Sequence, residues 1–230
     1  MVDLKMDGGI ARIFLNRPEK VNALDSALLE SLLKTIDTLG ADENVRVAVL
    51  GGHGKAFCGG ADVRELARLD ATNAGQFVEK IHAVCAALRR LCVPVVARLH
   101  GAVIGAGLEI AAACDLRIAA EGTKFSMPEV KLGIPSVVEA ALLPRLMGSG
   151  RAAWLVLTGE AIDARRAYEW GLVEEIGGDD VVERVAKSLL AADPQALRMQ
   201  KALLQLWDEA PLSESVSKSV AYFSQAHLHR

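Results

Sequence analysis

Two apolar segments of this chain run into glycine-rich turns and emerge as helices, and this repeated junction restricts the fold more than any other feature. One junction runs from Leu50 through Gly51-Gly52-His53-Gly54 and Gly59-Gly60 to Ala61. The other runs from Leu99 through Gly101, Gly105 and Gly107 to Glu109. Short apolar runs bounded by turn residues read as buried strands, and strands alternating with helices predict an α/β architecture. A turn of this kind also exposes backbone N–H groups beside a helix N-terminus, where an anion can bind. Two such amides converging on one carbonyl oxygen make an oxyanion hole.

The rest of the chain fits the same plan. Asp7-Gly8-Gly9 separates the alternating runs Val2–Met6 and Ile10–Leu15, which predicts a β-hairpin. Apolar positions 28, 29, 32, 33, 36 and 39 recur at helical spacing and stop at Gly40. Strands are expected at 45–50, 94–99 and 116–119, with helices at 63–69, 74–91 and 105–113. After Pro135 the pattern turns helical, over 137–146, 151–157, 163–170, 181–192 and 194–207. At 230 residues, 51% of them hydrophobic, one domain with one substantial core is expected.

Composition excludes several classes. No apolar stretch approaches the roughly 18 residues a membrane span needs. The start, Val2-Asp3-Leu4-Lys5, lacks the basic-then-apolar order of a signal peptide, so a cytoplasmic protein is expected. Cys58, Cys85, Cys92 and Cys114 show no CxxC spacing and read as reduced thiols. A formal charge of −3 argues against a nucleic-acid partner. The glycine clusters are not nucleotide loops either. Gly54-Lys55 is followed by Ala56 where a P-loop needs Ser or Thr, and Gly105-Ala-Gly107 is followed three residues later by Ile110 where a dinucleotide fingerprint needs Gly.

Two glutamates follow the second junction. Glu109 precedes Ile110-Ala-Ala-Ala-Cys114, none of which can pair with a carboxylate, and Glu129 lies twenty residues on in Ser126-Met-Pro-Glu-Val. Buried glutamate needs a use or a partner. A pair of carboxylates behind exposed amides suits acid–base chemistry next to a polarised carbonyl. His53 reads as a solvated loop residue, Cys58 as a small residue whose backbone matters, and the pairs Arg89-Arg90 and Arg165-Arg166 as solvated helix faces.

With these residues in view, the sequence resembles the crotonase, or enoyl-CoA hydratase/isomerase, family. The matching stretches are Asn16–Leu24, Gly54–Asp62, His100–Asp115, Pro128-Glu129 with Gly133-Ile-Pro135, Thr158–Ala164 and Ala167–Val173, all in family order. The resemblance implies a crotonase-like spiral of ββα repeats over residues 1–175 and a C-terminal helical, oligomerisation region over 176–230, assembled as homotrimers or homohexamers. It implies an acyl-CoA thioester substrate of lipid metabolism, with no cofactor beyond the CoA that is part of the substrate, and no metal. Carried over by position, the oxyanion donors are the N–H groups of Cys58 and Ala106. The CoA-binding residues are Lys20, Val21, Ala23, Gly60, Ala61, Asp62 and Val63, and the catalytic pair is Glu109 and Glu129.

Hydratases carry both glutamates whereas many other crotonases keep one or neither, so the expected activity is addition of water to a trans-2-enoyl-CoA. The alternatives are a double-bond isomerase using Glu129 and a non-catalytic CoA-binding or assembly subunit. Two departures stand out. Where hydratases often have further glycines, this chain has Ser136-Val-Val-Glu139-Ala-Ala-Leu-Leu-Pro144, which places a third carboxylate, Glu139, in an apolar setting. It is expected to face the pocket, desolvated or partnered by an arginine such as Arg145. The chain also ends at His227-Leu-His-Arg230, where relatives commonly continue into a further helix.

Overall fold

The computed structural model describes residues 1–227. The hairpin forms as expected. β1 (Val2–Asp7) pairs antiparallel with β2 (Ile10–Leu15), Val2 opposite Leu15, around a two-residue turn. Gly8 and Gly9 both adopt positive φ, at 54° and 89°, which such a turn requires and which side chains resist. β2 then pairs parallel with β3 (Val47–Gly52), every residue of which is buried. β4 (Val95–Leu99), β6 (Leu116–Ala119) and β9 (Glu175–Ile176) complete a six-stranded sheet in the order β1-β2-β3-β4-β6-β9. A second, three-stranded sheet holds β5 (Ala102–Ile104), β7 (Lys124–Ser126) and β8 (Ile162–Asp163). These short strands escape sequence reading because two or three residues carry no period.

Helices cover both faces of the main sheet. α1 (Ser26–Gly40) starts where Asp25 accepts the Leu28 N–H at 2.8 Å, and it buries Leu28, Leu29, Leu32, Ile36 and Leu39. Each such leucine contributes about 1.5–3 kcal/mol relative to leaving it exposed. α3 (Ala74–Arg90) lies alongside α1 and adds Phe77, Ile81, Val84 and Leu88 to the same core. On the opposite face, Val182 and Ala186 of α8 (Asp179–Ala191) pack on Ile10, Val47, Val49, Val96 and Ile118. The remaining helices are α2 (Val63–Leu66), α4 (Ala106–Ala112), α5 (Leu143–Met147), α6 (Ser149–Thr158), α7 (Ala164–Trp170), α9 (Pro194–Glu209) and α10 (Leu212–Ala226).

Two stretches, the one after Pro135 and α10, depart from expectation. The single helix expected over 137–146 is a 3-10 turn, Val138–Leu142, followed by α5. Pro144 has no N–H to give Ala140, so a continuous α-helix would lack that bond. β9 spans residue 175, where the core was expected to pass into the C-terminal region of the same domain, and α8 beyond it packs on the main sheet. α10 was not foreseen; its apolar residues Leu212, Val216, Val220 and Phe223 recur at helical spacing but are exposed. Residues 228–230, on which the expectation of a shortened terminus rests, lie outside the described part of the chain.

Candidate active site

β3 and β4 pair in parallel, Leu50 opposite Ala97, so the glycine turns that follow them emerge at the same end of the sheet. Backbone bonds stitch the turns together. Phe57 N–H donates to His100 O at 2.8 Å, Cys58 N–H to Ala102 O at 3.0 Å, and Ile104 N–H to Cys58 O at 3.1 Å. The approach is close enough to demand glycine. A Cβ on Gly107 would lie 2.7 Å from Cys58 Cβ, and one on Gly60 would lie 2.9 Å from Ile104 O.

This stitching corrects one expectation. The Cys58 N–H is consumed by Ala102 O and cannot receive a ligand oxygen. Among the described residues, the amides of these turns left without a protein acceptor include those of Ala61 and Ala106. Ala106 is the first residue of α4, where an N–H has no partner within the helix. Ala61 bridges Leu24 through its neighbours: Leu24 N–H donates to Gly60 O and Asp62 N–H to Leu24 O, each at 2.8 Å, which leaves the Ala61 amide free. Ala61 and Ala106 each adjoin a glycine that is pressed against the other turn.

The expected CoA-binding positions come together. Residues 21–24 run beside 59–62, with Gly59 N–H donating to Val21 O at 2.8 Å. Two residues that sequence reading passed over hold this arrangement. Asn22 is fully buried with φ of 53°, a conformation asparagine tolerates better than most residues. Its amide donates to His53 O, Ala56 O and Phe57 O. Arg17 donates to Asp62 at 2.6 Å and to Ala23 O at 2.9 Å. Asp62 also caps α2 by accepting the Arg64 N–H, and that bond, aided by Arg17, holds its carboxyl below the usual range. Its side chain is therefore committed to structure. Val63, by contrast, is exposed.

The two glutamates sit beside the second turn. Glu109 lies in α4 and is 4% exposed. Burial is the main reason its carboxyl is pushed up to about 8; the Glu129 carboxylate adds to the rise, the Ala140 amide offsets part of it, and Glu139 adds again. Glu129 opens a 3-10 turn (Glu129–Leu132), is half-buried, and accepts the Ser136 hydroxyl at 3.0 Å. Its Oε1 lies against Gly105, where a Cβ would stand 2.3 Å away; φ of +52° at Gly105 independently favours glycine. Like charges oppose each other's ionisation, so the Glu129 carboxylate adds to burial in holding a proton on Glu109.

Glu139 is buried, as expected, at 7% exposure. Its partner is not Arg145, which turns to Asp208. His82 of α3 donates instead, Nδ1 to Oε1 at 2.8 Å. His82 was missed because nothing local in the sequence links it to a residue 57 positions away.

Comparison with known proteins decides the family. The enoyl-CoA hydratase/isomerase sequence profile matches residues 5–227. The chain belongs to the enoyl-CoA hydratase/isomerase family. Its fold is that of solved crotonases. An enoyl-CoA hydratase from Mycobacterium smegmatis superposes with a TM-score of 0.95 at 30% identity, over 98% of this chain and 90% of that one. Among curated relatives, mouse mitochondrial methylglutaconyl-CoA hydratase is 32% identical, over 94% of this chain and 72% of its own length. Enoyl-CoA isomerase/hydratase fer4 of Mycosarcoma maydis is 31% identical, over 90% of this chain and 81% of its own. Enzymes of this family act on acyl-CoA thioesters.

Proposed function

We propose that this family member is a hydratase that adds water across the double bond of a trans-2-enoyl-CoA. The observation that carries the reading is the placement of Glu109 and Glu129 beside turns whose amides, at Ala61 and Ala106, have no protein acceptor. In this reading the thioester oxygen takes both amide hydrogens, which stabilise the negative charge it gains as the enolate forms. One such donor is worth about 2.7–4 kcal/mol in the transition state. Water sits between the glutamates. The ionised carboxylate removes a proton as the water oxygen bonds to Cβ, and the protonated one gives its proton to Cα. The pair ends as it began, with one proton and one charge, and no redox or metal cofactor takes part.

Lys20, Val21, Ala23, Gly60, Asp62 and Val63 border the CoA path in this reading. The acyl-CoA enters as substrate, and nothing in the scheme requires nucleic acid or membrane. No helix among the described residues is long and apolar enough to cross a membrane. We place the protein in the cytoplasm, in keeping with four free cysteines. We also propose a homotrimer or homohexamer, supported by the exposed apolar residues of α10.

A double-bond isomerase is the second reading, favoured by the name of the fer4 relative, which joins both activities. Product analysis separates the two. Incubation with trans-2- and trans-3-enoyl-CoAs should give 3-hydroxyacyl-CoA from the former; conversion of the 3-enoyl compound without any hydrated product would favour isomerisation. A chain that binds CoA thioesters but converts neither would be a non-catalytic subunit.

A further inference from the structure

The Glu139 carboxylate is unusual in three ways. It is buried, and among the described residues its second oxygen, Oε2, has no partner in hydrogen-bonding geometry, although the Cys85 thiol lies beside the carboxylate. It follows Val138, a β-branched residue held at φ of +40°. Buried unpaired oxygens and strained backbone both cost stability, and both cluster where a site uses them. It is also tethered to His82, whose side chain is 58% exposed, so the pair runs from solvent into the buried interior.

The 3-10 turn that carries Glu139 packs against α4, α5 and α3. α3 contributes His82 and Cys85, and α4 contributes Glu109; Glu129 lies against Gly105 at the start of α4, and Arg145 of α5 is directed to Asp208. Cys85 is neutral, because burial, with Glu139 second, raises its thiol well above the ordinary range. Glu139 thus brings a third carboxyl group to a place that already holds two, and among the described residues its hydrogen-bonded partner is a histidine at the surface.

We propose that Glu139, braced by His82, is a positioning residue for the reaction, one that holds the Glu109–Glu129 pair to a single shared proton. Hydration needs one protonated and one ionised glutamate. At alkaline pH the pair would lose its last proton and with it the acid that serves Cα. A third negative charge close by makes that loss harder, since like charges oppose further ionisation. The His82 hydrogen bond keeps the Glu139 carboxylate in place while leaving Oε2 on the buried side. The role in turnover rests on the hydratase reading; the effect on the proton does not.

The test therefore has two readouts. Carboxyl titration of the substrate-free protein, followed by infrared or carbon-13 signals, reports the proton directly, and the pH profile of kcat on an enoyl-CoA reports its use. In the wild type the proton should leave near the value of about 8 set for Glu109. In Glu139→Gln the midpoint and the alkaline limb of kcat should both fall by about half a pH unit or more, roughly threefold in proton affinity. Glu139→Asp, which keeps the charge, should stay near wild type. Should Glu139→Gln not fold, Glu139→Ala removes the same charge and carries the same expectation. A folded neutral variant that titrates like wild type overturns the proposal, as does an Asp variant that shifts as far as Gln. A shifted midpoint in a protein that hydrates no enoyl-CoA would uphold the proton-holding role and remove the hydratase reading.

Discussion

Glu129 Oε1 packs directly on the backbone of Gly105, so closely that a methyl group there would stand 2.3 Å from the carboxylate. The contact ties one glutamate to the turn that opens α4 and, through it, to the Ala106 amide. Gly105→Ala should therefore displace Glu129 and also strain a residue at φ of +52°. Strain of this kind costs of order 1–3 kcal/mol. We expect kcat to fall by about 10²-fold or more, out of proportion to a modest loss of melting temperature. Steady-state kinetics beside thermal unfolding would check it, and near-normal kcat would mean that the contact is unimportant.

Ala106→Pro tests the amide itself. Proline is well tolerated at the first position of a helix and lacks an N–H. The substitution should leave α4 intact and lower kcat by about 10²–10³. If kcat holds while circular dichroism is unchanged, the Ala106 amide has no role in charge stabilisation.

Cys58 should prove dispensable as a thiol. Burial pushes its thiol up to about 12, so it is not ionised near neutrality, and its amide is already bonded to Ala102. Cys58→Ala should keep kcat within roughly tenfold of wild type; loss of a true oxyanion donor would cost more. Inactivation of a folded Cys58→Ala enzyme would indicate thiol chemistry.

The raised Glu109 carboxyl has a consequence for stability. Its folded value of about 8 lies above the ordinary 4.5, so the folded state binds its proton more tightly than the unfolded chain does. The resulting contribution is fully present below pH 4.5 and is lost as pH rises through about 8. Denaturant unfolding of wild type and Glu109→Gln across that range should show the wild type losing stability relative to the variant. A constant difference between them would contradict the assignment.

Sequence patterning made the main sheet and the large helices legible, because α1, α3 and β3 carry complete hydrophobic periods or uninterrupted apolar runs. It could not reveal β5, β7 or β8, which are two or three residues long and exist through pairing alone. The burial of Glu109 was readable since a carboxylate among apolar helical residues is out of place. Cys58 was misassigned because the donor was carried over by position from the resemblance, and position in a matched stretch does not show which amides are already bonded across to another turn. Asn22 and Arg17 lay within a matched stretch, yet their work, tying residues 17–23 to 53–62, appears only when the two loops are side by side. The Glu139 partner depended on a helix 57 residues away for the same reason.

The central claim is hydration by the Glu109–Glu129 pair, and the most direct measurement follows enoyl-CoAs of several chain lengths in isotopically labelled water. Wild type should consume the conjugated thioester and place the label on Cβ of a 3-hydroxyacyl-CoA. Glu109→Gln and Glu129→Gln should each lower kcat by about 10²–10⁴ while remaining folded. A folded wild-type protein that hydrates no member of the panel, or glutamine variants as fast as wild type, would contradict it.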